Sequence, residues 1–157
     1  MAKFIYGDRI GKEAKLQIGS SAVLFDETGE KVLLTRRADN GRWCLPGGGM
    51  DPGEEIGETC VREVLEETGL EVRIKKMIGV YSNPHYIVWY DQGSGDKVQI
   101  VSVLFEVELL GGELTLSDET TEFGYFSRDE IDRMDLIDNH VTRIDDAFAQ
   151  QEAAFIH

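Results

Sequence analysis

The sequence predicts a mixed α/β fold, in which helices pack against a β-sheet. Most apolar runs have strand character, and one amphipathic helical segment lies among them at residues 54–68. Strands that both precede and follow a central helix are typical of a mixed sheet covered by helices. The chain has 157 residues, 41% of them hydrophobic, which is enough for one core. We therefore expect a single domain over residues 1–157.

The first half of the chain predicts two strands and the central helix. Residues 16–25 and 31–37 are apolar runs, and Gly29 between them suits a hairpin turn. A loop leads to the tryptophan that precedes a glycine-rich turn, and we expect this tryptophan to pack in the fold. The helix predicted at residues 54–68 ends at Gly69, since glycine favours the C-cap position.

The second half predicts further strands and two more helices. Residues 71–82 form an alternating strand, residues 85–109 a long hairpin around DQGSGD, and residues 122–127 a short strand. A short helix is expected at residues 129–133. The last element is an amphipathic helix, because four apolar residues recur there at helical spacing: Ile137, Val141, Ile144 and Phe148.

Composition excludes several classes of function. The net charge is −14, from 30 acidic and 16 basic residues, which opposes binding to a nucleic-acid backbone. No apolar run approaches the roughly 20 residues that span a bilayer, and the first residues lack a secretory signal, so we expect a cytoplasmic protein. Cys44 and Cys60 have no metal-binding spacing, and Cys60 lies on the apolar side of the predicted helix.

The central helix carries a concentration of glutamates that requires an explanation. Glu63, Glu66 and Glu67 fall within about 100° of helical arc, beside an apolar stripe. Like charges at this spacing repel, which a bound divalent cation would offset. Carboxylate oxygens suit Mg²⁺ or Mn²⁺, and the glycine turn before the helix favours phosphate. The alternative interpretation is a solvated acidic face without a metal.

The spacing of this segment resembles the Nudix box. From Gly48 the order is glycine, five residues, Glu54, seven residues and then REVLEETGL, which ends at Leu70 and departs from the box nowhere. The resemblance extends over most of residues 18–127. It implies the Nudix α/β/α sandwich with a mixed β-sheet, and divalent-metal-dependent hydrolysis of a nucleoside diphosphate linked to another moiety.

The resemblance also implies roles for individual residues. Mg²⁺ would be held by the three helix glutamates and the Gly47 carbonyl, while Glu54 and Arg62 brace the loop and the helix. The general base is open between Glu66 in the box and a loop glutamate, for which we favour Glu119 over Glu122. The predicted substrate-binding residues are Arg37, Gly48 and Tyr86, although Arg37 also fits a strand-end ion pair, and His85 is expected in a surface loop.

The substrate is less well defined by the sequence than the reaction. Pro84 and Tyr86 lie near, but not at, positions typical of ADP-ribose pyrophosphatases and of diadenosine-polyphosphate hydrolases. We predict a small nucleoside diphosphate substrate, ADP-ribose or a related nucleotide sugar. The alternatives are a MutT-like pyrophosphatase that releases pyrophosphate from (d)NTPs, and a non-catalytic nucleotide sensor. The final helix leaves a homodimer open.

Overall fold

A computed structural model describes residues 2–91 and 93–157. Its helices are α1 (Ile56–Thr68), α2 (Arg128–Ile131) and α3 (Asp138–Ala149), with a 3-10 turn at Ile10–Glu13. Its strands are β1 (Ala2–Tyr6), β2 (Lys15–Val23), β3 (Lys31–Arg37), β4 (Trp43–Cys44), β5 (Gly47–Gly49), β6 (Leu70–Tyr81), β7 (Tyr86–Tyr90), β8 (Lys97–Gly112), β9 (Thr120–Ser127) and β10 (Phe155–Ile156).

The strands form two sheets. The larger has the order β1-β7-β8-β2-β5, with β6 paired to both β8 and β10, and the smaller has the order β4-β3-β9. β8 runs parallel to β2 and antiparallel to β6 and β7, which confirms a mixed sheet. The predicted hairpin of residues 85–109 is confirmed by the pairing of Val88 with Val98.

The turn at Gly29 connects the two sheets. Its φ of 72° and the bridge between Phe25 and Val32 are those of a hairpin end. Beyond that bridge β2 pairs with β5 and β8, whereas β3 pairs with β4 and β9. The prediction of a turn was right, but the two flanking strands do not pair along their lengths, because each is completed by strands that are distant in sequence.

Helices cover the larger sheet on both faces. Successive residues of β2 point to opposite sides. Ala22 joins the core cluster that includes Cys60 and Val64 of α1, and Val23 joins the cluster that includes Ile144 of α3. This layering confirms the predicted α/β/α sandwich. Cys60 is fully buried, as predicted.

The two predicted long helices are present, with adjusted details. α1 begins at Ile56 rather than residue 54, because Glu55 is its N-cap and exchanges capping-box contacts with Glu58. It ends at Gly69, which is left-handed as expected. In α3 the prediction for Val141 was wrong: its side chain is 38% exposed, and the buried stripe runs through Ile144 instead. None of the described helices is long and apolar enough to cross a membrane.

Candidate active site

The glycine-rich strand β5 lies between β2 and the glutamate face of α1. Gly47 pairs with Ser21 and Gly48 with Ser20. A Cβ atom on Gly48 would lie 2.5 Å from the carboxyl carbon of Glu63, and one on Gly47 would lie 2.2 Å from the Ser20 carbonyl oxygen. Because no side chain fits at either position, the helix carboxylates approach the strand backbone directly.

Glu67 is the most deeply placed carboxylate of the site. Only 8% of the residue is exposed, and its Oε2 accepts a hydrogen bond from the Gly47 N–H at 3.0 Å. The pKa of Glu67 is raised to about 8, chiefly by burial, and the charges of Glu63 and Glu119 contribute to the rise. The Gly47 N–H and the Arg37 guanidinium act in the opposite direction but do not cancel the effect. The site therefore concentrates more negative charge than its own groups neutralise.

Glu63 and Glu66 are both bound to one arginine. Arg62 donates from Nη1 to Glu63 Oε1 at 2.8 Å and to Glu66 Oε2 at 3.3 Å. Burial raises the pKa of Glu63, although Arg62 opposes the shift. The Glu66 side chain is 60% exposed, compared with 13% for Glu63. Glu63 thus faces the glycine strand, and Glu66 borders solvent.

Arg62 and Glu54 join the glycine turn to the helix. Arg62 donates from Nε to Glu54 Oε1 at 2.5 Å and from Nη2 to the Gly49 carbonyl oxygen at 2.9 Å. Glu54 also accepts from the Asp51 N–H and the Thr59 hydroxyl. Hydrogen bonding to Arg62 lowers the pKa of Glu54 to about 2, so this carboxylate stays charged. These contacts are consistent with the bracing roles predicted for Glu54 and Arg62.

The three helix carboxylates expected to hold the ion, those of Glu63, Glu66 and Glu67, make separate contacts in this structure. Among the described residues, no group of three or more His, Cys, Asp or Glu side chains is arranged to hold a metal ion. The physical reason is that Arg62 binds both Glu63 and Glu66, while Glu67 turns to the Gly47 N–H. The donor chemistry nevertheless fits a divalent cation, because three carboxylates of a single helix surround a region of excess negative charge.

The two candidate loop bases occupy different environments. Glu119 lies directly before β9, where the loop is held by two hydrogen bonds: the Glu119 carbonyl accepts from the Ala38 N–H at 2.9 Å, and the Thr120 hydroxyl donates to the Glu67 carbonyl at 3.2 Å. Its charge also raises the pKa of Glu67. Glu122 instead accepts from Arg36 at 2.8 Å on the β3–β9 surface. Of the two, only Glu119 contributes to the electrostatics of the helix carboxylates.

A cleft opens beside the glycine strand on the α3 side of the larger sheet. The described residues that line it come from seven strands, β1 to β5, β7 and β8, from α3 and from the adjoining loops. They include Phe4, Ser21, Arg37, Asn40, Leu45, Gly47, Gly48, Val88, Tyr90, Ile100, Ser102, Ile137, Asn139, His140 and Arg143. A continuous cavity thus runs from the glycine strand, next to the helix carboxylates, to an apolar interior. This shape suits a ligand with a charged end and a planar, less polar end.

The comparison with known domains decides the family. A model of the NUDIX domain matches residues 15–148. The chain belongs to the NUDIX domain family. One relative is an ADP-ribose pyrophosphatase of Methanocaldococcus jannaschii, which is 33% identical over 69% of this chain and 61% of that protein. Another is a MutT-like protein of Streptomyces ambofaciens, which is 34% identical over 73% of this chain and 66% of that protein. In both cases the match therefore spans less than two thirds of the relative.

Solved structures of Nudix proteins share the fold. The crystal structure of an ADP-ribose pyrophosphatase from Streptococcus suis superposes with a TM-score of 0.66 at 26% identity, covering 89% of this chain and 96% of that one. The Nudix resemblance drawn from Gly48 to Leu70 and the predicted sandwich are both confirmed by these matches.

The structure places two of the predicted substrate-binding residues of this Nudix domain in different surroundings. Tyr86 does not line the cleft: it is buried, its hydroxyl accepts from Asn139 Nδ2 at 2.9 Å, and it lines a second cavity. Tyr90, four residues further along the same face of β7, lines the cleft instead. Arg37 does line the cleft, yet it also forms the alternative ion pair, donating to both carboxylate oxygens of Asp39 at 2.8 and 3.0 Å.

The predictions for two other residues of the same region hold. Trp43 packs edge-to-face on Phe126 with ring centroids 5.0 Å apart, which is the expected packing role. The His85 side chain is 53% exposed and lies 3.5 Å from Asp8 in a surface loop.

Sequence reasoning missed two residues of α3 that line the cleft. His140 Nδ1 accepts the Leu45 N–H at 3.0 Å, and burial holds the pKa of His140 well below its usual value. Arg143 is 4% exposed and donates from Nη1 to Ser21 Oγ at 3.1 Å. One signal in the sequence could have indicated Arg143: it directly precedes Ile144, a residue of the apolar stripe of the predicted amphipathic helix. A basic residue there is costly unless it has a ligand or a partner.

Proposed function

We propose that this protein hydrolyses the phosphoanhydride bond of a nucleoside diphosphate linked to another moiety, in a reaction that depends on a divalent metal. The observation that carries the proposal is the buried Glu67 carboxylate. It is bonded to the Gly47 N–H beside two more negative charges, those of Glu63 and Glu119. A divalent cation would balance this excess negative charge and would also neutralise part of the charge of a diphosphate substrate.

Mg²⁺ or Mn²⁺ would be held by Glu63, Glu66 and Glu67, with the Gly47 carbonyl as a further ligand. The ion would polarise the phosphoryl oxygens and lower the pKa of bound water. Binding requires Arg62 to release at least Glu66, whose contact with it is long at 3.3 Å and exposed. Exposed ion pairs of this kind contribute little stability, so the rearrangement costs little.

The protein residues supply positioning and proton transfer. As a water oxygen attacks phosphorus, the anhydride P–O bond breaks and the leaving phosphate keeps the bonding electrons. We assign the proton of the attacking water to Glu119, with Glu66 as the alternative acceptor. Arg37 would exchange Asp39 for a substrate phosphate, since it lies in the cleft and its guanidinium is preorganised for two oxygens. The Gly48 backbone, free of a side chain, would border the phosphates.

For the substrate, we propose ADP-ribose or a related nucleotide sugar. The support is the similarity to two proteins named ADP-ribose pyrophosphatases, one matched in sequence and one in structure. The cleft also has room beyond the glycine strand for a second moiety, between β7 and α3. The products of ADP-ribose would be AMP and ribose 5-phosphate.

A second candidate is a (d)NTP pyrophosphatase, favoured by the similarity to a MutT-like protein over 73% of this chain. The bond cleaved would lie between the α- and β-phosphates, and the products would be a nucleoside monophosphate and pyrophosphate. The two candidates use the same carboxylates and differ in what the cleft accepts.

The test is a product-release screen with Mg²⁺, with EDTA, and with the Glu67→Gln variant. Nucleotide sugars, diadenosine polyphosphates and (d)NTPs are compared side by side. Release of AMP from ADP-ribose, abolished by EDTA and by the variant, supports the first candidate, and pyrophosphate from a (d)NTP supports the second. Activity that survives EDTA contradicts the metal assignment. Nucleotide binding without turnover of any compound leaves the non-catalytic sensor as the interpretation.

The remaining sequence predictions concern the setting of this reaction. We retain one domain over residues 1–157, a cytoplasmic location, no nucleic-acid or membrane partner and an open choice between monomer and homodimer. Size-exclusion chromatography with light scattering decides the last of these.

A further inference from the structure

Arg143 is a buried arginine that lacks an acidic partner. It is 4% exposed, and no carboxylate of the described residues forms an ion pair with it. Its neighbours are neutral: the Ser21 hydroxyl, the Tyr86 hydroxyl and the Tyr81 ring, whose centroid is 5.4 Å from Cζ. Among the described residues, none accepts a hydrogen bond from Nε. The guanidinium thus retains donor capacity in a nearly dry environment.

Arg143 lines the cleft, and together with Tyr81 and Tyr86 it also lines the second cavity. Its acceptor Ser21 is directly opposite Gly47 in the β2–β5 ladder, and both residues line the cleft with Arg143. Ser21 has the same side-chain direction as Val23, toward α3, whereas the helix carboxylates lie on the α1 side. A substrate with its phosphates at Gly47 and Gly48 would therefore direct its other end toward Arg143.

The surroundings of Arg143 define the group that it can bind. Val88, Ile100 and Ile137 provide apolar walls that suit a planar base. A guanidinium has only donors, so the bound edge must present acceptors. The 6-oxopurines offer two on one edge, O6 and N7, whereas adenine offers N7 beside an amino group that is itself a donor.

We propose that Arg143 is a specificity-determining residue that selects 6-oxopurine nucleotides over 6-aminopurine nucleotides. The inference rests on the proposed function for the location of the phosphates, and it refines the identity of the base. Within the nucleotide sugars it favours guanine-linked compounds, so of the two substrates in the proposed function it supports a related nucleotide sugar rather than ADP-ribose itself.

Binding of nucleoside monophosphates tests this without requiring turnover. Titration calorimetry with Mg²⁺ compares GMP, IMP and AMP, because IMP carries O6 and N7 without the 2-amino group of guanine. We expect wild-type protein to bind GMP and IMP about tenfold or more tightly than AMP. Arg143→Met should bring the three affinities to within a few-fold of one another. The matched control is Arg133→Met, which removes an exposed arginine and should keep the preference.

A second measurement separates recognition from a structural role. Removing a buried charge that has no counter-ion often leaves stability unchanged or improves it. Arg143→Met should therefore retain or raise the melting temperature without nucleotide, while it loses base discrimination. Should this variant fail to fold, Arg143→Lys keeps the charge but not the planar pair of donors, and it should lose most of the GMP preference.

Three outcomes would overturn the proposal. They are a wild-type preference for AMP or none at all, a preference for GMP that IMP does not share, and a preference that survives both substitutions at Arg143. Failure of the proposed function looks different: no compound in the product-release screen is hydrolysed, although GMP and IMP still bind in preference to AMP.

Discussion

Glu67→Gln provides the most demanding test of the carboxylate site, because activity and stability should change in opposite directions. Folding raises the pKa of this group from 4.5 to about 8, so the native state holds a proton that the unfolded chain has released at neutral pH. Stability is therefore lost as pH rises from about 4.5 through 8. At about 1.4 kcal/mol per pKa unit, the cost at pH 7 is on the order of 3 kcal/mol.

Glutamine removes this cost and keeps an oxygen that can accept the Gly47 N–H. In EDTA at pH 7 to 8 we expect Glu67→Gln to melt about 5 °C or more above wild type. Added Mg²⁺ should stabilise wild type and have much less effect on the variant, which should also lose turnover. Differential scanning calorimetry gives the first two values. Glu66→Gln is the control, because its 60% exposed side chain should change the metal-free melting temperature little.

Two results would refute the reasoning. If Glu67→Gln melts below wild type in EDTA, the buried carboxylate stabilises the fold and the charge excess is not real. If Mg²⁺ raises both melting temperatures equally, the ion binds elsewhere.

Three further predictions follow from the same contacts. Glu119→Gln should lower kcat by about 100-fold with little change in KM. Glu122→Gln should keep near-normal rates, because Glu122 is bound to Arg36. If steady-state assays give the two variants equal rates, Glu119 is not the base. Because burial lowers the pKa of His140, stability should fall as pH drops below about 6.5, by up to about 1.4 kcal/mol per pH unit, and urea unfolding of His140→Asn should lack this component. Arg62→Lys should raise the Mg²⁺ concentration needed for half-maximal rate, since lysine cannot bond Glu54 and the Gly49 carbonyl at the same time. If the dependence of the rate on Mg²⁺ is unchanged, Arg62 does not position the metal site.

The parts of the fold that sequence predicted well are those with local signals. The end of α1 at Gly69, the strand that became β6 and the hairpin of β7 and β8 all follow from periodicity and turn residues within the segment itself. The division into two sheets could not be predicted, because it depends on β3 pairing with β9, almost 90 residues further along. β1 and β10 are short strands without a clear local sequence pattern. Each forms by pairing with a strand that is distant in sequence, β7 for β1 and β6 for β10.

The same distinction applies to the site. The box glutamates and Gly48 share one turn and one helix, so their spacing alone located them. The sequence does not show which tyrosine of β7 lines the cleft. Both point to the same face of the strand, but Tyr86 lines the second cavity and Tyr90 lines the cleft. The bond of Arg62 to both Glu63 and Glu66 is a matter of side-chain conformation, which spacing does not determine.

A comparison of Arg62 with Arg143 shows that acidic charge is distributed unevenly between the two ends of this site. The chain has 30 acidic residues, so acidic partners are abundant, and Arg62 contacts Glu54, Glu63 and Glu66. Among the described residues, no acidic side chain forms an ion pair with Arg143, although Asp146 is about one turn away on the same helix. Asp146 instead accepts the Tyr81 hydroxyl at 2.7 Å and lies 3.0 Å from His157. Acidic side chains are thus concentrated where a cation and phosphates would bind. They do not pair with Arg143, where a carboxylate would compete with the ligand's acceptor atoms for the guanidinium.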